Sequence, residues 1–386
     1  MENLCHTFAG AALAKAGLER MTPLALPTLL VSANLPDIDV ITMLHGQLTY
    51  LEYHRGVTHS ILGVIVLSIG LTLLVTGYDR WIRRRRHPDA EPTRPSRVLL
   101  LSLIGTASHP LLDFTNNYGI RPFAPWDNTW YYGDLVFIVD PWLWLILGGS
   151  VFLLTSQTSW RLVLWCGLWG LLTLLVIGSQ TGVVETRFRA GSSIWLWVPL
   201  LAGVLLARWT GIHRYGSKVA AAALLMTVAY WGILAVAHEV ALRQVMTTSQ
   251  RIMRDQPTSG HAALPRLATP LEWDAIFETP DAIYCAIVSL INPPDANWSP
   301  QQYNKNLSDP LVQRALGTCA GAIMLRFSRY LFAEVQYQSN EPSAVILRDA
   351  RFQRRGISGF STVVVPLSAT EQQDGSTTAE NCVAQE

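Results

Sequence analysis

Charge is scarce in this sequence. Asp, Glu, Lys and Arg make up 15% of its 386 residues, against about 25% in an ordinary soluble domain. With half the residues apolar, 14 Trp and a mean hydropathy of +0.24, the deficit points to a membrane protein. A formal net charge of +1 gives no support for a nucleic-acid partner. The five cysteines are too few and too scattered for a disulfide framework: Cys5 and Cys166 lie in apolar surroundings, while Cys285, Cys319 and Cys382 fall in the polar C-terminal part. A pairing among these last three is left open. No basic stretch precedes the first apolar run, which begins after Glu2, so no cleavable signal peptide is expected. There is no internal repeat.

What the sequence does have is apolar runs with hydrophilic groups gathered at their ends. Residues 3–16 and 23–36 are two runs of about 21 Å each as helices, short for full spans and economical as a hairpin entering and leaving from one side. Its two ends carry His6 and the pair Asp37-Ile38-Asp39. The first convincing span covers 57–77. It is followed by a loop from Asp79 to Arg97 with seven arginines, which the positive-inside rule assigns to the cytoplasm. Spans are expected at 98–113, 135–154, 161–178, 194–207 and 219–238, with the second basic connection, Arg208 to Lys218, on the same side as the first. Gln180 to Ser193 then lies outside. From His238 the composition becomes that of a soluble domain. Val245–Asp255 and Asp309–Thr318 read as helical, and Glu272–Thr279, Ile283–Leu290, Leu325–Gln338, Ser343–Phe352 and Phe360–Leu367 as strands. The tail from Ser368 is polar and expected to be disordered. The fold class is therefore mainly α: a polytopic transmembrane helical domain (1–240), then a small α+β extracytoplasmic domain (241–367) and a tail (368–386), in a cell membrane.

This topology gathers His6, Asp37, Asp39, His54, His59, His109, Asp113 and Asp140 at one non-cytoplasmic depth. His54 and His59, in Tyr53-His54-Arg55-Gly56-Val57-Thr58-His59-Ser60, lie five residues apart, about 140° around a regular helix. They can face one point if Gly56 breaks the backbone and Thr58 caps the following helix. His109 and Asp113, four apart, share a helix face. Singly these are ordinary: a helix-end histidine is usually a satisfied interfacial residue, a Pro-Asp-Ile-Asp turn usually a cap, and Asp140 can serve a helix N-terminus. Together, four His and four Asp near hydrocarbon are costly unless paired or metal-bound. Nitrogen and oxygen donors without thiolate fit a divalent ion, zinc foremost, then Mn²⁺ or Fe²⁺, and eight candidates leave room for one to three ions. Such a site would activate water for hydrolysis, with Asp37 or Asp39 taking the proton. Arg55 either holds an anionic group such as a phosphate or pairs with a local aspartate. His45, His87, His213 and His261 are not read as ligands.

His6, Leu35-Pro36-Asp37-Ile38-Asp39, His54-Arg55-Gly56-Val57-Thr58-His59-Ser60 and His109-Pro110-Leu111-Leu112-Asp113, in that order, resemble the YdjM-like family over roughly residues 1–180. The resemblance implies an inner-membrane, metal-dependent hydrolase. Some members are described as LexA-binding, which would need a cytoplasmic surface that here is little more than the arginine loop, and it is not carried over. The His-x-x-x-Asp arrangement is similar, more distantly, to zinc-dependent phospholipase C and related nucleases, which implies phosphoester chemistry. The expected partner is membrane lipid, with no nucleic acid. The rival reading is a non-catalytic, metal-stabilised membrane module presenting its outer domain to a partner. Transport ranks last, because the spans past residue 140 carry almost no ionisable groups.

Overall fold

The computed structural model describes residues 1–181, 195–253, 256–292, 298–353 and 359–367. Most of the expected outer segment 180–193 and the tail from Ser368 to Glu386 lie outside these residues. The chain is mostly helical (60%), with a small sheet region near its C-terminus. Three described helices are long and apolar enough to cross a membrane: Ile61–Arg86, Ser159–Gly178 and Ser217–Ile252. Pro141–Thr155 and Trp197–Thr210 are shorter apolar helices.

Two compact units divide the chain. The first holds Met1–Asp39, Arg55–Val236 and Pro265–Pro270. Its helices are α1 (Asn3–Lys15), α2 (Ala25–Ser32), α4 (Ile61–Arg86), α5 (Pro95–Phe114), α6 (Pro141–Thr155), α7 (Ser159–Thr181), α8 (Trp197–Ala207) and the first part of α9 (Ser217–Ile252); α3 (Gln47–Tyr53) belongs to the second unit. Helix α1 buries residues on every side, among them Cys5, His6, Phe8 and Ala12, as a helix inside a bundle does. It packs with α6 to α8 through Phe8, Trp169 and Trp197. Helix α5 starts with Pro95, whose fixed φ suits the first turn. It lies so close to α2 that a Cβ on Gly105 would collide with Ser32 Oγ.

The second unit holds Val40–His54, Ala237–Leu264 and Leu271–Glu386. A four-stranded sheet, β1 (Ser259–Arg266), β2 (Thr269–Glu278), β3 (Ala282–Ser289) and β4 (Gln301–Asn304), runs in sequence order, with β2–β3 and β3–β4 antiparallel. Period-two alternation sends Trp273, Ala275 and Phe277 to one face, against Ala241 and Val245 of α9. Ile276, Ile283 and Cys285 go to the other, against Tyr330 and Phe332. A second sheet, β5 (Leu331–Gln338), β6 (Glu341–Asp349) and β7 (Thr362–Pro366), is antiparallel throughout. Segment 40–54 joins this unit through Gln47 Nε2, which donates to the carbonyls of Phe360 and Thr362 at 3.0 Å, and Arg326–Glu52 at 2.7 Å.

Several elements differ from the sequence reading. The arginine run is not all loop: the helix from Ile61 continues to Arg86 through a wide turn at Asp79–Arg83. Asp79, buried at its end, accepts from Thr93 N and Oγ1 at 3.0 and 3.1 Å and pairs with Arg83 and Arg84. Span 219–238 and helix 245–255 fuse into one 36-residue helix over its described part. Leu325–Gln338 is not one strand, because Cys319–Phe327 is helical and only Leu331 onward is extended. The Thr318 hydroxyl caps that helix on Gly321 N, a polar signal the apolar run hides. β1 and β4 escaped the pattern, having little β-branched content.

The close approach of α2 and α5 generates a prediction. Gly105→Val should destabilise the detergent-purified protein by about 1–3 kcal/mol through overpacking. Gly70→Ala, where an added Cβ meets nothing within 4 Å, should leave the thermal midpoint unchanged or higher.

Candidate metal centre

Three elements bring the site together, each with its donor residues in the first unit. Leu35–His45 opens as a 3₁₀ run just after α2 and presents Asp37 and Asp39. Val57–His59 is a single 3₁₀ turn presenting His59. It lies so tightly on the start of α4 that a Cβ on Gly63 would collide with Val57 O. Helix α5 presents His109 and Asp113 one turn apart on one face. The backbone reverses at Arg55, which holds the left-handed conformation at φ +55°, not at Gly56, whose φ is −89°. Nor does Thr58 cap α4. Its hydroxyl donates to Asp39 Oδ2 at 2.6 Å, and Ser60 Oγ takes the cap by accepting from Gly63 N at 3.1 Å.

The outer ring nitrogens fix the protonation of the inner ones. His109 Nδ1 lies 2.7 Å from Ala33 O. A carbonyl oxygen only accepts, so Nδ1 carries the proton and Nε2 of the neutral ring presents a lone pair. His59 Nδ1 lies 3.0 Å from Thr58 Oγ1 and 3.2 Å from Asp39 Oδ2; the Thr58 hydroxyl proton is already donated to Asp39, so Nδ1 carries the ring proton and the Nε2 lone pair turns inward. Both lone pairs face the same two carboxylate oxygens. His59 Nε2 stands 3.5 Å from Asp37 Oδ1 and 3.2 Å from Asp113 Oδ2, and His109 Nε2 stands 3.3 and 3.4 Å from the same atoms. Among the described residues, His109 Nε2 and Asp113 Oδ2 have no hydrogen-bond partner although both are buried. Asp37 Oδ1 adds a carboxylate oxygen to this group.

Four electron-pair donors converge with no proton assigned between them, which is repulsive without a cation. The separations test which cation fits. Donors about 2.0–2.1 Å from a tetrahedral ion are about 3.3–3.4 Å from one another, and the four measured edges run from 3.2 to 3.5 Å. Asp37, His59, His109 and Asp113 thus form a cluster that could hold a metal ion, with all donor atoms within 4.8 Å of one another.

The remaining groups surround this set. Asp113 Oδ1 accepts from Arg55 Nη2 at 3.0 Å and from the Met1 amino group. Of the two roles open to Arg55, the structure contains the aspartate pair. Its guanidinium also reaches Asn116 Oδ1 at 3.0 Å and Gly119 O at 3.3 Å and lies over the Tyr118 ring. Asp39 receives Arg55 N at 3.0 Å and orients His59. His6 stacks on His109 with ring centroids 3.6 Å apart; its nitrogens have no hydrogen-bond partner among the described residues, and Nε2 lies 3.5 Å from Asp113 Oδ1. Asp140 stands outside the four-residue group. It caps the turn Pro141–Leu143 through Trp142 N and Leu143 N and accepts from Tyr230 OH at 3.0 Å. His54 belongs to the second unit, where it ends α3 with its ring stacked on Tyr50. Sequence reasoning missed Asn116, Tyr118 and the Ala33 carbonyl. Asn116 was findable as the polar residue three beyond Asp113; a backbone carbonyl has no sequence signal. An apolar groove of about 420 Å³ opens beside His59, walled by Ile61, Val64, Leu111 and Phe114.

Residues 1–183 match the family described as YdjM inner membrane protein, which supports the resemblance read from the motifs. A relative in Bacillus subtilis (strain 168), titled "Uncharacterized protein YfhP", is 26% identical over 116 residues, 30% of this chain and 32% of the relative. The chain thus spans about a third of the length of the curated relative it matches. No solved structure matches. The family match and the three apolar helices identify a membrane protein with a buried Asp/His cluster able to hold a metal ion.

Detergent-purified protein should contain stoichiometric divalent metal by elemental analysis. His59→Ala should lose it, and a chelator should lower the thermal midpoint of the wild type but not of the variant. Metal content near zero in the wild type would contradict the assignment.

Proposed function

With the YdjM inner membrane protein resemblance supported over residues 1–183, we propose that this protein is a membrane-bound metal-dependent hydrolase of zinc type, acting on a phosphoester or lipid-like substrate at the outer membrane surface. The observation that carries it is the proton-free meeting of His59 Nε2 and His109 Nε2 with Asp37 Oδ1 and Asp113 Oδ2. A divalent ion held there would polarise an ester or phosphoryl oxygen and make water a competent nucleophile near neutral pH. The chain's own groups do the rest. Asp37, the least buried of the four, or Asp39 behind His59 takes the proton of the attacking water. Arg55 balances the charge of Asp113 and fixes its direction. His6, stacked on His109, places a ring nitrogen 3.5 Å from Asp113 Oδ1 at the edge of the same centre. The groove beside His59 suits a hydrocarbon tail, which favours a lipid-like substrate over a soluble one.

The outward orientation rests on the charge bias of the basic connections and on Cys319. Cys319 is disulfide-bonded, a state kept in oxidising compartments. The polytopic topology with its extracytoplasmic domain follows from the same bias. One observation favours the second reading, a non-catalytic module stabilised by metal: four protein donors already complete a tetrahedral shell, as structural sites do.

Activity separates the two. Metal-loaded protein assayed by mass spectrometry on phospholipid, phosphodiester and carboxylic ester panels should turn over at least one class. Asp37→Asn should slow it by about 10²–10⁴-fold. Metal-dependent stability without turnover on any panel would instead support the structural role. Orientation has its own check: in cells quenched with acid and alkylated, Cys319 should be found oxidised, and a reduced Cys319 would contradict the outward assignment.

A further inference from the structure

A second cavity of the first unit, about 690 Å³, lies away from the donor cluster, between α6, α8 and α9. Its α9 wall is Val219, Ala222, Ala223, Met226 and Tyr230, a helical stripe about 17 Å long at 1.5 Å per residue. The stripe faces Gly149 and Ser150 of α6. Small residues stand on both walls, so the helices leave a gap where larger side chains would close it. The two ends differ in chemistry. At one, Tyr230 bonds Asp140 through its hydroxyl, so that end is polar but already satisfied. At the other stands the exposed Lys218, with Tyr215 beside it and no carboxylate among the lining residues. Arg208, on the same basic connection, is held by Ser156 O at 2.9 and 3.1 Å, so Lys218 is the cation that faces the opening.

We propose that this groove is a binding site for one anionic glycerophospholipid, with an acyl chain along the α9 stripe and its phosphate on Lys218. The length supports that occupant: one leaflet of hydrocarbon is about 15 Å deep, close to the length of the stripe. The charge supports it too. A single ammonium at the headgroup end of an apolar slot selects a phosphate-bearing, net-negative lipid over a zwitterionic one. The site is independent of the donor cluster and needs no metal.

Full-length protein purified in detergent and incubated with mixed phosphatidylglycerol and phosphatidylcholine bicelles tests this by native mass spectrometry. The wild type should retain one phosphatidylglycerol, with or without chelator. Ala222→Trp, at an exposed position of α9, should lose the retained lipid while keeping its thermal midpoint. Lys218→Ala should keep a lipid but lower the preference for phosphatidylglycerol by about fivefold, the equivalent of about 1 kcal/mol for one basic side chain at a membrane surface. Retention of detergent only, equal retention by Ala222→Trp, or an unchanged preference in Lys218→Ala would overturn the proposal.

Discussion

Two imidazole nitrogens and two carboxylate oxygens meet at 3.2–3.5 Å inside this protein, with the ring protons held on the far side by Ala33 O and Asp39. A buried set of acceptors facing acceptors is unstable by itself, because each needs a positive partner that water would otherwise supply. The neighbouring polar groups can be understood as holding this arrangement. Ala33 O claims the Nδ1 proton of His109, Asp39 claims that of His59, and Arg55 occupies the far oxygen of Asp113. Each contact leaves one donor atom facing inward.

The packing of the first unit serves the same end. Ala33 follows the last residue of α2, and its carbonyl meets His109 because Gly105 lets α5 lie directly on Ser32. Gly63 does the equivalent for the turn that carries His59, letting Val57 O sit on the helix start. Small residues at helix contacts are the usual means of bringing backbones together in a membrane protein. Here they also set donor positions, so a packing change one helix turn away from His109 acts on the cluster through its backbone partner.

Much of this centre was legible in the sequence because its chemistry is local. His109 and Asp113 share a face by their i, i+4 spacing, Asp37 follows a proline turn, and His59 stands two residues before a long apolar run. The structure gathers these four. What was not legible depends on backbone geometry and competition. A glycine in the motif suggested the point of reversal, yet Arg55 takes the left-handed conformation, its side chain anchored on Asp113, Asn116 and Gly119. Thr58 and Ser60 are equally good caps by type, and Asp39, nineteen residues from Thr58, decided between them. At the arginine run, charge density suggested a loop, but a helix can carry arginines into the headgroup region while Asp79 anchors its end. In the second unit, an apolar stretch read as one strand divides at Phe327 into a capped helix and a strand, a choice that periodicity over short runs does not make.

X-ray absorption at the metal edge of the purified protein tests the central claim most directly, because it reports ligand type and distance without reference to activity. The account predicts a first shell of two imidazole nitrogens and two carboxylate oxygens at about 2.0–2.2 Å and no sulfur. A sulfur-containing shell, or an ion that keeps the same shell in a His59→Ala, His109→Ala double variant, would contradict it.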